Sequence, residues 1–304
     1  MRLLAIFPVY LALMACSSSN AEADLNCADI IGMEALLSPS GPDIIVIGEL
    51  HGMTAPPEFV SALTCHSLAK GLKTNLALEI YDEDNRLAGF IESDGSYEAE
   101  TEMLRAPMWT TGFTDGRSSE AVLSLIKTAR QWKSEAQPLF VTAFRDVNLA
   151  SQTFETPSEG SAAFEKGMAE NIIVASQDHD KTIVLVGNLH ASMGRWTYGD
   201  LDYTLMAAHL PRARTLTFDM VATEGTGWNC IGQPIICGVN PYQNTIRSDH
   251  PVAVENVFRV LMKDELKTYP KTDVRFNAED YDGLIFMGQA VASPPANADG
   301  RAPL

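Results

Sequence analysis

This sequence is short of positive charge, of cysteine and of long apolar runs. Only 22 Lys and Arg stand against 39 Asp and Glu, a formal charge of -17 over 304 residues, which argues against nucleic acid or anionic lipid as the main partner. The five cysteines contain no CxxC pair, so neither a thioredoxin-like redox motif nor a zinc ribbon has support. Gly-x-Ser-x-Gly is absent, as are His-Glu-x-x-His and a Gly-x-Gly-x-x-Gly following a strand. Their absence removes the main sequence support for a nucleophile-elbow hydrolase, a zinc peptidase of the common kind and a dinucleotide fold. No apolar run approaches the roughly 18 residues that a membrane-spanning helix needs. With 46% apolar residues, the chain nevertheless has ample material for a core.

What is present begins with a short leader. Arg2, the apolar run Leu3 to Leu13, and Leu13-Met14-Ala15 directly before Cys16 give a charged end, an apolar core and a small residue at a cut. Leu-x-Ala-Cys resembles a bacterial lipobox, which implies diacylation of Cys16 and attachment to a membrane through that lipid. Ser17 after it resembles the pattern of lipoproteins that reach the outer membrane, so the expected place is the periplasmic face of that membrane in a bacterial envelope. Residues 1–15 are then a signal peptide, 16–39 a lipidated tether and lead-in, 40–290 the folded domain and 291–304 a flexible tail. Setting Cys16 aside leaves Cys27, Cys65, Cys230 and Cys237, an even number in a compartment that permits disulfides. Of the three possible pairings, close spacing favours Cys230 with Cys237 and Cys27 with Cys65; four buried thiols are the alternative.

Six apolar runs are continuous rather than alternating, the mark of strands buried on both faces: Asp43 to Gly48, Asn75 to Ile80, Pro138 to Phe144, Lys181 to Gly187, Arg214 to Met220 and Asp282 to Gly288. Helical patterns fall between them at Pro57 to Lys70, Ser119 to Lys133, Ala162 to Ser176 and Leu201 to His209. This alternation predicts the α/β class, with a mostly parallel central sheet and helices on both faces. Tyr81 to Gly116, which carries Trp109 and Phe113, reads as a helical insertion over the carboxyl edge of the strands. Asn229 to Asn277 reads as a cysteine loop with one helix around Val254 to Lys267.

The residues at the carboxyl ends of the strands form a set. Gly48-Glu49-Leu50-His51-Gly52 follows the first, Glu79 closes the second, Arg145-Asp146 follows the third, and Gly187-Asn188-Leu189-His190 follows the fourth. In an open α/β sheet these ends lie side by side where ligands bind, so Glu49, His51, Glu79, Arg145, Asp146 and His190 are expected in one cleft. Asp219 or Glu224 is a less direct candidate from the fifth strand. Two imidazoles with two or three carboxylates can share a divalent metal, polarise a water or pass protons. Arg145 can neutralise the cluster or hold an anionic group of a small-molecule ligand in its planar fork.

These motifs resemble the superfamily that groups ChaN-like haem-binding lipoproteins, erythromycin-esterase-like proteins and the Tiki and TraB proteins. The resemblance rests on Val46-Ile47-Gly48-Glu49-Leu50-His51-Gly52, Leu76-Ala77-Leu78-Glu79, Met168-Ala169-Glu170-Asn171 opening a helix, Val186-Gly187-Asn188-Leu189-His190, and Tyr281-Asp282-Gly283-Leu284-Ile285-Phe286. It covers roughly residues 40 to 290. It implies an α/β fold with the Glu and His loops in one site. The lipobox and the Glu-x-His spacing favour the ChaN-like branch, which implies haem or an iron cofactor on His51 and His190, with Met53, Tyr81 and Met193 as secondary contacts. The other branches imply hydrolysis by a His-activated water, with Glu49 and Glu79 orienting the imidazoles or a metal and Arg145 stabilising the oxyanion.

Overall fold

The computed structural model describes residues 25–82, 84–110, 115–145, 152–231, 236–242, 257–268 and 280–296. Its centre is an eight-stranded sheet of order β1-β11-β12-β8-β2-β5-β3-β4. The strands are β1 (Ile30–Ile31), β2 (Ile44–Glu49), β3 (Thr74–Leu78), β4 (Leu139–Ala143), β5 (Lys181–Gly187), β8 (Thr215–Val221), β11 (Phe258–Met262) and β12 (Gly283–Phe286). Every neighbouring pair is parallel except β11 with β12. The carboxyl ends of β2, β3, β4, β5, β8 and β12 therefore share one edge, the edge where a doubly wound sheet presents its site.

The continuous apolar runs become strands because both faces are covered. Ile45, Ile47, Leu76, Leu78, Ile183 and Leu185 point into one apolar cluster together with α1 (Ala55–Ala69) and α5 (Glu120–Ser134). Ile44, Val46, Ala77, Val184 and Val186 point the other way, against Met168, Ala169 and Ile172 of α6 (Pro157–Ala175). This odd-even division is the period-2 geometry of a pleated strand sandwiched between helices. Phe59 and Phe218 are fully buried in the first cluster, and truncating either to Ala is expected to cost about 3–5 kcal/mol of stability. The lead-in is stapled to α1 by a disulfide between Cys27 and Cys65. A second disulfide joins Cys230 to Cys237 across the hairpin of β9 (Thr226–Ile231) and β10 (Ile236–Pro241). Both pairings are those favoured by spacing, and both fit an oxidising compartment. Among the described residues no helix is long and apolar enough to cross a membrane; Cys16 and the leader lie outside the described residues.

Several expectations are corrected. Leu201 to His209 is not a helix: β6 (Arg195–Tyr198) and β7 (Leu201–Thr204) pair antiparallel around Gly199-Asp200, and a 3-10 turn, Met206–His209, follows. A two-residue loop containing Gly at φ +59° outranks the helical spacing. The helix expected around Val254 to Lys267 is the strand β11 and a single turn, α8 (Lys263–Leu266); so short an apolar run is ambiguous by periodicity, and pairing with β12 decides it. Helix α6 starts five residues earlier than Ala162, at Pro157 behind a Thr156 cap whose hydroxyl accepts from Glu159 N, so Met168-Ala169-Glu170-Asn171 lies mid-helix rather than opening one. The insertion after β3 is helical as expected, with α2 (Arg86–Ile91), α3 (Tyr97–Leu104) and α4 (Pro107–Thr110). Trp109 is buried in the core, and Phe113 lies outside the described residues. Residues 291–296, read as tail, are fastened to the body. Thr54 N–H donates to Val291 O, Ser293 N–H to Gly52 O and Ala296 N–H to Ser118 O, while Glu120 N–H donates to Pro294 O.

Candidate active site

Five of the expected side chains, Glu49, His51, Glu79, Arg145 and His190, meet at the carboxyl edge. Glu49 is the last residue of β2, and His51 follows in a loop where Gly52 takes φ +85°. A side chain at Gly52 would collide with the carbonyl of Trp228 at 2.0 Å, so the loop lies directly on β9, whose Trp228 N–H donates to Gly52 O. Glu79 follows β3. His190 sits on the single turn α7 (Asn188–Ala191) that continues β5.

Glu79 is the hub. It is almost fully buried, and its Oε2 accepts 2.8 Å from the N–H of Gly187 and lies 3.5 Å from His51 Nε2. Its Oε1 accepts 2.9 Å from Arg117 Nη1 and lies 3.9 Å from His190 Nε2 and 3.7 Å from Arg145 Nη1. The far nitrogen of each imidazole is held by its own carboxylate. His51 Nδ1 donates 2.7 Å to Glu49, and His190 Nδ1 donates 2.8 Å to Glu165 of α6. Glu165 is fixed in turn by a 2.8 Å bond from Met206 N–H. With Nδ1 protonated against a carboxylate, Nε2 is left as the working nitrogen of both rings.

Burial alone pulls both imidazoles toward the neutral form. Glu49 and Glu79 around His51, and Glu165 and Glu79 around His190, outweigh it and hold both above the usual 6.5. Burial would raise Glu79, but His51, His190, Arg117 and the Gly187 N–H outweigh it and keep its carboxyl below the usual 4.5. A cavity of about 20 Å³ is lined by Glu49, His51, Glu79, Arg117 and four apolar side chains, room for about one water. A groove of about 300 Å³ opens between the starts of α1 and α5, but none of the converging residues lines it.

Two members of the cluster escaped the sequence reading. Glu165 lies mid-helix, where nothing local separates it from its neighbours Glu159 and Glu170. Arg117 follows the insertion rather than a strand; its signal was Asp115-Gly116-Arg117, a turn in which Asp115 accepts from both Nε and Nη2. Of the secondary candidates, Tyr81 lies under Arg145, with 4.2 Å from guanidinium carbon to ring centre. Met193 is half-buried just past α7, its N–H on Asp280 O. Met53 does not join the cluster: it is buried in the apolar core and bridges to Ala292. Asp219 is buried on β8 beside Tyr281, and Glu224 accepts from Gln289. Asp146 lies outside the described residues. No group of three or more His, Cys, Asp or Glu among the described residues is arranged to hold a metal ion.

No protein-family model and no curated protein sequence matches the chain. Solved structures do match. A succinoglycan biosynthesis protein superposes with a TM-score of 0.61 at 11% identity, over 86% of this chain and 91% of that one. A Bacillus cereus protein gives 0.56 at 13%, over 84% and 91%. An erythromycin esterase carrying one His-to-Asn replacement, in its open conformation, gives 0.56 at 14%, over 88% and 94%. Identities this low speak for architecture, and over most of its length the chain has the α/β fold of the erythromycin esterase and of the succinoglycan biosynthesis protein.

Proposed function

We propose that the chain is a hydrolase of carbonyl esters in which His51 activates a water. The observation that carries this reading is the cavity of about 20 Å³ beside His51, lined by Glu49, Glu79 and Arg117. A lone water there loses a proton to His51 Nε2, and its oxygen attacks the carbonyl carbon. As the ester C–O bond breaks, protonated His190 Nε2 gives its proton to the departing oxygen. Glu79, within 3.9 Å of both Nε2 atoms, stabilises whichever ring is charged and offers a path by which the proton on His51 returns to His190. Glu49 and Glu165 hold the rings in the tautomer this exchange requires. An assay against 4-nitrophenyl and alkyl esters tests the reading. Turnover that is lost in His51→Asn is expected; no turnover above buffer with any ester sinks it.

Haem or iron on His51 and His190 draws no support from this arrangement. A porphyrin needs a broad apolar slot, whereas here both Nε2 atoms lie within 3.9 Å of the buried Glu79 carboxylate. For a divalent metal, Glu79 is already engaged by Arg117 and the Gly187 N–H. A haemin titration is expected to leave the Soret band unshifted; a saturable shift lost in His51→Ala and His190→Ala would restore the haem reading. We also infer that Cys16 carries a lipid anchoring the protein to the cell envelope, an inference supported by the lipobox and by the two disulfides. Partition of the full chain into detergent, abolished by Cys16→Ala, is the expected result.

A further inference from the structure

Arg145 is held but not satisfied. Its guanidinium carbon lies 4.2 Å from the centre of the Tyr81 ring and 4.9 Å from that of Phe164, contacts that fix its plane. Nη1 is 3.7 Å from Glu79 Oε1, beyond hydrogen-bond reach, and Arg117 already donates to that same oxygen. Nε is buried without any hydrogen-bond partner. Folded proteins rarely leave a buried guanidinium N–H unmade unless something else supplies the acceptor. Arg117 shows the contrast, since its Nε, Nη1 and Nη2 are all spent on Asp115 and Glu79.

The donor left unmade on Arg145, Nε, belongs with Nη2 to the side-on fork of the guanidinium, a fork that matches two oxygens of one carboxylate or phosphate. Phe164 packs on both Arg145 and the His190 ring, whose centre is 6.0 Å from its own. The guanidinium also shares Glu79 with the imidazole assigned to the departing oxygen, since Arg145 Nη1 and His190 Nε2 lie 3.7 and 3.9 Å from the same Glu79 Oε1. We propose that Arg145 recognises a carboxylate or phosphate carried by the substrate, so that the hydrolase reading on which this rests becomes one for anionic esters.

Calorimetric titration of the full-length protein with succinate and, separately, with inorganic phosphate tests this without requiring turnover. Saturable binding of one or both at a single site is expected, weakened about tenfold or more in Arg145→Gln and in Arg145→Lys, which keeps the charge but loses the fork. The tighter ligand tells which oxyanion the site prefers. No binding of either anion to the unaltered protein, or binding that both folded variants retain, overturns the proposal. Should the variants fail to fold, as circular dichroism would show, the unaltered protein decides: succinate must then compete with a 4-nitrophenyl hemisuccinate substrate, and failure to compete overturns the proposal.

Kinetics add a second arm. Arg145→Gln is expected to raise KM for the hemisuccinate about tenfold more than it raises KM for 4-nitrophenyl acetate. A fall in kcat on both esters with both KM values unchanged would assign Arg145 to charge developing during the reaction and overturn substrate recognition. Succinate binding without hydrolysis of any ester would instead sink the hydrolase reading alone.

Discussion

On one side of Glu79, Glu49 and His51 come from a single loop and Arg117 is spent on Asp115 and Glu79. On the other, Glu165 comes from α6, His190 from α7, and Arg145, packed on two aromatic rings, keeps a buried Nε with no hydrogen-bond partner. The two halves use the same parts, a carboxylate, an imidazole and a guanidinium converging on one buried carboxylate. They differ in what is left over. The first half is saturated and lines a water-sized cavity, as the proposed activation of water requires. The second retains an unmade donor, Arg145 Nε, as the proposed recognition of an anionic substrate requires.

The strongest way to break this division is to remove each imidazole in turn. His51→Asn is expected to lower kcat about a thousandfold on all esters, the scale of general base catalysis. His190→Asn should do so on alkyl esters but far less on 4-nitrophenyl esters, whose leaving group needs no proton; equal losses on both would cancel the division. A smaller effect follows from the seam between the halves. A methyl group at Gly187 would stand 3.2 Å from His51 Nε2 and 3.4 Å from His190 Cδ2, so Gly187→Ala should splay the rings and lose about a hundredfold in kcat. Thermal unfolding would move little.

Milder still are the carboxylates that hold the rings. The proposed hydrolysis requires His51 neutral and His190 protonated, and both are held above the usual 6.5, so the pH-rate profile should be bell-shaped with both limbs displaced upward. The limbs belong to the coupled set rather than to single groups, yet Glu49→Gln should move chiefly the rising limb to lower pH and Glu165→Gln chiefly the falling one. Both variants moving the same limb would contradict the assignment.

The smallest effect is on stability. A raised imidazole stabilises the fold fully below 6.5, and that contribution is lost as pH rises through the folded value. A lowered Glu79 contributes above 4.5 and loses its contribution as pH falls through its folded value. Thermal unfolding should therefore be most resistant between about pH 4.5 and 6.5 as far as these groups decide it. Glu79→Gln should flatten the acid side. Activity would then peak where stability has begun to decline.

The same contrast explains what the sequence reveals. Glu49, His51, Glu79, Arg145 and His190 all sit at or just past the ends of continuous apolar strands, and parallel pairing brings such ends together without any knowledge of the helices. Glu165 depends on how α6 docks and on a bond from Met206, forty-one residues away, and no local pattern encodes that. The strands were legible because burial on both faces writes unbroken apolar runs; β11 was not, because five residues ending against Lys263 satisfy either period. The β6–β7 hairpin was hidden by a helical spacing that a Gly-Asp turn overrules.

Residues 291–296 bind the loop of His51 through Gly52 and Met53, and bind the first turn of α5 through Glu120 and Ala121. The strand β12, which lies between β8 and β11, is also made late. A chain still being synthesised thus carries both imidazoles long before it possesses the contacts that aim them. Under the proposed function, activity is expected to arrive only when the last of these residues is free to dock, so an unfinished or clipped chain would be silent rather than partly active.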